Sequence, residues 1–195
     1  YTYNASGNEN YTSDSVSNTL NINQLDAGCH VLFNETSPVT YPNKFKVWHN
    51  CSISATLKRN GTTISNDSIQ NLAAGTYNFS VIADDTENYT NTYDEEFFTI
   101  DKADPSLGIE GTSPIIYGTE TDVNGTSCPS QLTCSLNQSN KTYGAGDETF
   151  KYSTTGNENY TSDEVTTTIT IEPKDLNVTA ENKSKIYGES DPIFS

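Results

Sequence analysis

The tetrapeptide Glu-Asn-Tyr-Thr occurs three times, at 9–12, 87–90 and 158–161. The first and third copies sit in nearly identical nonapeptides, SGNENYTSD at 6–14 and TGNENYTSD at 155–163. Successive copies begin 78 and 71 residues apart, so the chain reads as a tandem array of domains of about 75 residues. That phase predicts the closing strands of a preceding repeat at 1–28, complete domains at 29–103 and 104–173, and the opening strands of a following repeat at 174–195. Domains this small bury limited surface and need staples or neighbours.

The segments between these copies alternate. Gly75–Val81 places Tyr77, Phe79 and Val81 on one strand face, leaving Asn78 on the other. Asp147–Tyr152 is its counterpart, with Phe150 and Tyr152 inward. After the three tetrapeptides come Val16, Leu20 and Ile22, then Phe98 and Ile100, then Val165, Ile169 and Ile171, each set sharing a face. Turn signals at Asn60-Gly61, Ala74-Gly75, Gly144 with Gly146, and Gly156-Asn157 separate the strands. No useful helical period is present. The prediction is an all-β chain of tandem immunoglobulin-like β-sandwiches, with Trp48 as a core residue beside Cys51. The two linkers, 100–105 and 171–176, are not Gly/Ser-rich, which predicts a semi-rigid rod rather than a flexible tether.

Apolar residues make up only 32% of the chain, a polarity that suggests disorder until the alternation is seen. The net charge of −16 argues against nucleic acid as a partner, since phosphate binding needs clustered cations. No stretch approaches the length of a transmembrane helix, so no membrane insertion is expected in this segment. Four cysteines fall two per complete domain, which predicts disulfides Cys29–Cys51 and Cys128–Cys134 and an oxidising compartment. The short step between Cys29 and Cys51 sets this apart from the antibody-type inter-sheet bridge.

A second signal points outside the cell. Fourteen of the 22 asparagines begin an Asn-x-Ser/Thr sequon: Asn4, Asn10, Asn34, Asn50, Asn60, Asn66, Asn78, Asn88, Asn124, Asn137, Asn140, Asn159, Asn177 and Asn182. Composition alone supplies about five or six, so covalent N-glycans at the surface are expected.

The stretch Lys174–Pro192 resembles the opening of an MBG-type repeat, an immunoglobulin-like module of large microbial surface proteins. The resemblance rests on the KDL-x-VTA strand and on Lys185, Tyr187, Gly188, Asp191 and Pro192. The complete domains are similar to bacterial and archaeal immunoglobulin-like repeats that begin TSP..YG, carry CPSxLTC and close on TGNxNYT. Domain 104–173 has all three, at 112–118, 128–134 and 155–161; domain 29–103 keeps TSPVTY but ends it in Pro42 and places its cysteines elsewhere. The resemblance implies an exported, cell-surface chain, with archaea favoured by the sequon load, and leaves stalk, filament and adhesin open.

Chemistry has little foothold. Cys29, His30, His49 and Cys51 could be drawn as a zinc site, but Cys29 and His30 face opposite sides of a strand and the spacing matches no common zinc framework. Calcium is the better cation candidate, at Asp84, Asp85, Glu87, Asp101 and Asp104, without a DxDxDG loop. Two histidines in no recognisable motif offer no catalytic pair, so no enzyme activity and no cofactor is expected. The expected role is structural: a segment of an extracellular N-glycosylated stalk or filament whose partners are copies of itself or neighbouring repeats; its ends either continue into further repeats, the reading slightly favoured, or join end to end by strand complementation. The rivals are an adhesin binding a glycan or protein on another cell, and an S-layer component.

Overall fold

The computed structural model describes residues 1–193 and divides them into two compact units. The first comprises residues 1–103 together with 158–161; the second comprises 104–157 and the residues from 162 onward. Both are all-β.

The first unit opens with an antiparallel hairpin, β1 (Thr2–Ala5) and β2 (Asp14–Ser17), followed by the short β3 (Leu25–Asp26). Its sandwich is built from β4 (Val31–Phe33), β5 (Val39–Thr40), β6 (Phe45–His49), β7 (Thr56–Arg59), β8 (Thr62–Ile64), β9 (Ser68–Gln70) and β10 (Gly75–Ala83). The short β11 (Tyr89–Thr90) and the long β12 (Thr92–Asp101) complete it. One sheet runs β5-β12-β10-β7-β8 and the other β4-β6-β9. All pairs are antiparallel except β5 on β12, where Val39 lies opposite Ile100. The two-residue turn between β7 and β8 is Asn60-Gly61, with φ of 46° and 80°; positive φ at both positions matches the right-handed strand twist and favours this residue pair.

The alternation along β10 works as the sequence predicts. Phe79, Val81 and Ala83 are buried, as are Phe98 and Ile100 on the facing β12. Phe45 stacks on Phe98 with centroids 3.8 Å apart, and Phe33 meets Phe79 edge-on at 5.3 Å. Aromatic contacts of this kind add about 0.5–1.5 kcal/mol each beyond the buried area. Trp48 departs from expectation. In β6 the buried residues are Phe45 and Val47, so the two-residue period turns Trp48 to the opposite face, half-buried and across from Leu32. It is not a core residue.

The second unit contains β13 (Gly108–Glu110), β14 (Ile115–Ile116), β15 (Asn124–Thr126), β16 (Ser135–Leu136), β17 (Gly146–Thr154) and β18 (Asp163–Glu172). β14-β18-β17-β16 form one sheet and β13-β15 the other. The core is Ile115, Val123, Phe150, Ile169 and Ile171. The Tyr152 ring lies so close to Gly125 that a Cβ there would stand 2.3 Å from it, which is why this strand position has no side chain.

The two TSP motifs do the same work. Ser37 Oγ accepts from the Thr99 N–H at 2.9 Å and Ser113 Oγ from the Thr170 N–H at 3.0 Å, each just before the short parallel edge strand that follows. The alternating segment after the first tetrapeptide is different: β2 ends at Ser17, and Leu20 and Ile22 lie outside any strand, 63% and 86% exposed. Their counterparts Ile169 and Ile171 are buried because β18 has β14 and β17 beside it and a second sheet over it. Alternation fixes a face only where something covers that face.

Candidate functional site

Two of the three tetrapeptides, at 87–90 and 158–161, are backbone clasps. Tyr89 and Thr90 pair in parallel with Leu25 and Asp26, and the Leu25 N–H donates to the Asn88 carbonyl at 2.9 Å. The arrangement recurs, also within the first unit, at Ala103. Its N–H donates to the Asn159 carbonyl at 2.9 Å, and the Thr161 N–H returns to the Ala103 carbonyl at 3.0 Å. Tyr160 sets its ring edge-on to Tyr41, centroids 5.6 Å apart. The copies at 87–90 and 158–161 therefore each hold an extended segment of the first unit, and Ala27 and Ala103 on those segments are buried. A second anchor follows. Asp94 Oδ2 accepts from the Val31 N–H at 2.8 Å, and Asp163 Oδ2 from the Leu107 N–H at 2.9 Å. Charged acceptors make such bonds stronger than neutral ones.

The cysteines lie in two pairs at bonding distance, Cys29 with Cys51 at 1.98 Å and Cys128 with Cys134 at 1.97 Å. Cys29 belongs to the core, whereas Cys51, Cys128 and Cys134 are half-buried. His30 turns away from that bridge, its Nδ1 3.8 Å from Asp94 Oδ2. His49 Nδ1 accepts from the Cys51 N–H at 3.4 Å, and partial burial lowers its pKa below the usual 6.5. With both sulfurs in a disulfide, the drawn two-Cys, two-His set has no thiolate to offer a metal.

The acidic candidates are spread out. Asp85 Oδ1 accepts from Gln24 Nε2 at 3.2 Å, Asp104 Oδ1 accepts from the Ser106 N–H at 2.8 Å, and Asp84, Glu87 and Asp101 are exposed. Among the described residues no three His, Cys, Asp or Glu side chains converge on a metal-sized site.

Eleven of the fourteen sequon asparagines are exposed; Asn78, Asn140 and Asn159 are half-buried. Four of them have a job that sequence reasoning missed. Asn34, Asn50, Asn60 and Asn137 each stand one residue past the end of a strand, β4, β6, β7 and β16. Asn60 N–H donates to the Asn78 carbonyl at 2.8 Å, and Asn60 Oδ1 accepts from the Asn78 N–H at 2.9 Å. Asn137 exchanges the same two bonds with Lys151, Asn34 with Lys46, and Asn50 with His30. In an ordinary hydrogen-bonded strand pair the residue's own carbonyl would take the second bond. Here the side-chain oxygen takes it, so the main chain can leave the sheet without orphaning the partner's N–H. Nδ2, the atom that would carry a sugar, is not used in the ring. The sequence signal was available: an asparagine directly after an alternating run.

Asn140 is different. Its Oδ1 accepts from the Val123 N–H and Thr121 Oγ1, and its Nδ2 donates to the Val123 carbonyl at 2.8 Å, so both ends are engaged. Asn159 Oδ1 accepts from the Ala74 N–H at 2.9 Å.

An open cleft of about 810 Å³ lies in the second unit, lined by six Ser/Thr hydroxyls together with Asp163 and Glu164. Asp163 is already committed to Leu107, and Thr154 Oγ1 donates to the Thr133 carbonyl at 2.9 Å. An open cleft lined by hydroxyls leaves a reacting group in contact with water.

No helix among the described residues is long and apolar enough to cross a membrane. No family model matches the chain, and no curated protein matches it. Among solved structures it is similar to the fibronectin(III)-like modules of Clostridium thermocellum CbhA, at 10% identity and a TM-score of 0.29, over 79% of this chain and 100% of that one.

Proposed function

We propose that this chain is a structural segment of an extracellular, N-glycosylated repeat protein that forms a surface stalk or filament. The observation that carries the reading is the recurring clasp: twice, a segment that could have been a loose tether is fixed by β-type hydrogen bonds to Glu-Asn-Tyr-Thr. A chain built to bear load gains from ordered linkers, whereas a chain built to search for a ligand gains from mobile ones. The two disulfides fit an oxidising compartment. Net charge of −16 and exposed sequons fit a crowded surface where neighbouring copies must not stick at random. In this reading the segment catalyses nothing and holds no cofactor.

Strand complementation belongs to the same proposal. Tyr3 and Val16 face each other across the β1–β2 hairpin and are 83% and 60% exposed, and a lone two-stranded hairpin is marginal in water. Leu176 and Val178, exposed and outside any strand, belong to the stretch that resembles the start of a repeat. A strand of that type laid on the hairpin would cover its apolar face.

Electron microscopy of the native, fully glycosylated material tests the proposal. Regular filaments whose axial repeat matches this segment are the expected result. Isolated rods would overturn end-to-end joining, and a compact particle with mobile arms would overturn the structural reading altogether.

A further inference from the structure

We infer that the sugar attached at Asn78 lies on the ring of Phe97, with Glu95 accepting one of its hydroxyls. The inference rests on the glycosylation reading above and gives one sequon a specific receptor surface in the chain itself.

Phe97 is the anomaly that demands an occupant. Among the described residues it is the only exposed phenylalanine, 62% open to solvent, whereas the others are buried or half-buried. It stands on the outer face of β12 with Tyr93, itself 59% exposed. A large apolar side chain held out on an ordered strand forgoes burial that would otherwise favour the fold, and clustered exposure of this kind marks a contact surface.

The strand register says what the contact is. The cross-strand partner of Phe97 is Asn78, so their side chains rise from the same face as nearest neighbours. Asn78 begins the sequon Asn78-Phe79-Ser80. Its backbone is fixed by the Asn60 ring, and its Nδ2 donates to Glu95 Oε1, which aims the amide across at β12. Glu95 Oε2 accepts from the Tyr93 hydroxyl at 2.9 Å, so the carboxylate stays on this face. An aromatic ring with a carboxylate beside it suits a pyranose, which offers a C–H face to the ring and hydroxyl donors at its edge.

Attachment forms the bond from sugar C1 to Nδ2 and breaks the C1–O bond of a lipid-phosphate-linked sugar donor. The lipid phosphate leaves, and Nδ2 gives up one proton. The remaining Nδ2–H can still donate to Glu95.

The test produces the whole chain in two hosts, one that N-glycosylates secreted protein and one that is oxidising but does not glycosylate. Wild type, Phe97→Ser and Phe97→Leu are compared; leucine keeps the apolar bulk and removes the ring. Glycopeptide mapping should find Asn78 occupied. The gain in Tm on glycosylation should be about 4 °C larger in wild type than in either variant, a shift readable for a domain of this size. The other sequons are identical in all three chains and cancel. On wild type alone, nuclear Overhauser contacts should join the Phe97 ring to C–H protons of the first sugar. Equal Tm gains in all three chains, or no such contacts with Asn78 occupied, overturn the inference while leaving glycosylation intact. A bare Asn78 among occupied sequons does the same. If no sequon carries sugar, the glycosylation reading falls and this inference with it.

Discussion

Arg59, the only arginine in the chain, joins β7 of one sheet of the first sandwich to β9 of the other. Its Nη1 donates at 2.6 Å to Oε1 of Gln70, which is 5% exposed and whose Nε2 donates in turn to Ser68 Oγ. Arg59→Ala strands that buried oxygen and should cost about 1–3 kcal/mol in thermal or denaturant unfolding. Adding Gln70→Leu should recover part of the loss, because an apolar group needs no partner. Asp122 offers a test by pH. The Thr112 hydroxyl and N–H donate to its carboxylate at 2.6 and 2.8 Å and hold its pKa below the usual 3.8. A depressed carboxylate pKa stabilises the fold above 3.8 and stops doing so as pH falls through the lower, folded value. Wild type should therefore exceed Asp122→Asn in stability at neutral pH, with the gap closing in acid below pH 3.8. A carbon-13 titration of Asp122 with its midpoint at or above 3.8 would contradict this.

At the scale of the strand, the asparagine that ends it matters more than any residue within it. Asn137→Ala removes the acceptor for the Lys151 N–H and should cost about 1 kcal/mol even in unglycosylated protein. Ser139→Ala abolishes the same sequon while leaving Asn137 in place, and should change stability by no more than a few tenths of a kcal/mol in that protein. The pair separates the structural role of the amide from any role of a sugar; equal effects would refute the strand-closing assignment. The strands themselves were legible. Tyr77-x-Phe79-x-Val81 and Phe150 announced β10 and β17 because both lie under a second sheet. Trp48 was misread because a large apolar residue next to a cysteine suggests the core, yet its phase against Phe45 and Val47 places it outside. An asparagine directly after an alternating run marks a strand end, but the partner it closes onto, like the partner of the clasp, is not written in the local sequence. Each is a relation between a residue and a partner strand 12 to 63 positions away, and local spacing carries no record of that partner.

Across the whole molecule, stability is divided between two cores that share no residue, and each unit has one disulfide. The Cys29–Cys51 step of 22 residues closes the longer loop, and its removal by a double alanine substitution should cost the first unit about 3 kcal/mol. Removing Cys128–Cys134, a step of 6, should cost the second unit about 2 kcal/mol. Hydrogen exchange at the Phe79 and Phe150 amides, one in each core, would read the two losses separately. Reversal of that order would mean that local packing and not loop closure sets the contribution of each bridge.

The strand-closing asparagines bear on how such a surface could change over generations. An asparagine already required by its backbone is half of a glycan acceptor, and a single nucleotide change two codons downstream can complete or erase the other half. Sugar cover can thus be gained, lost or moved among strand ends at almost no cost to folding, which gives the surface a coat able to drift faster than the scaffold beneath it.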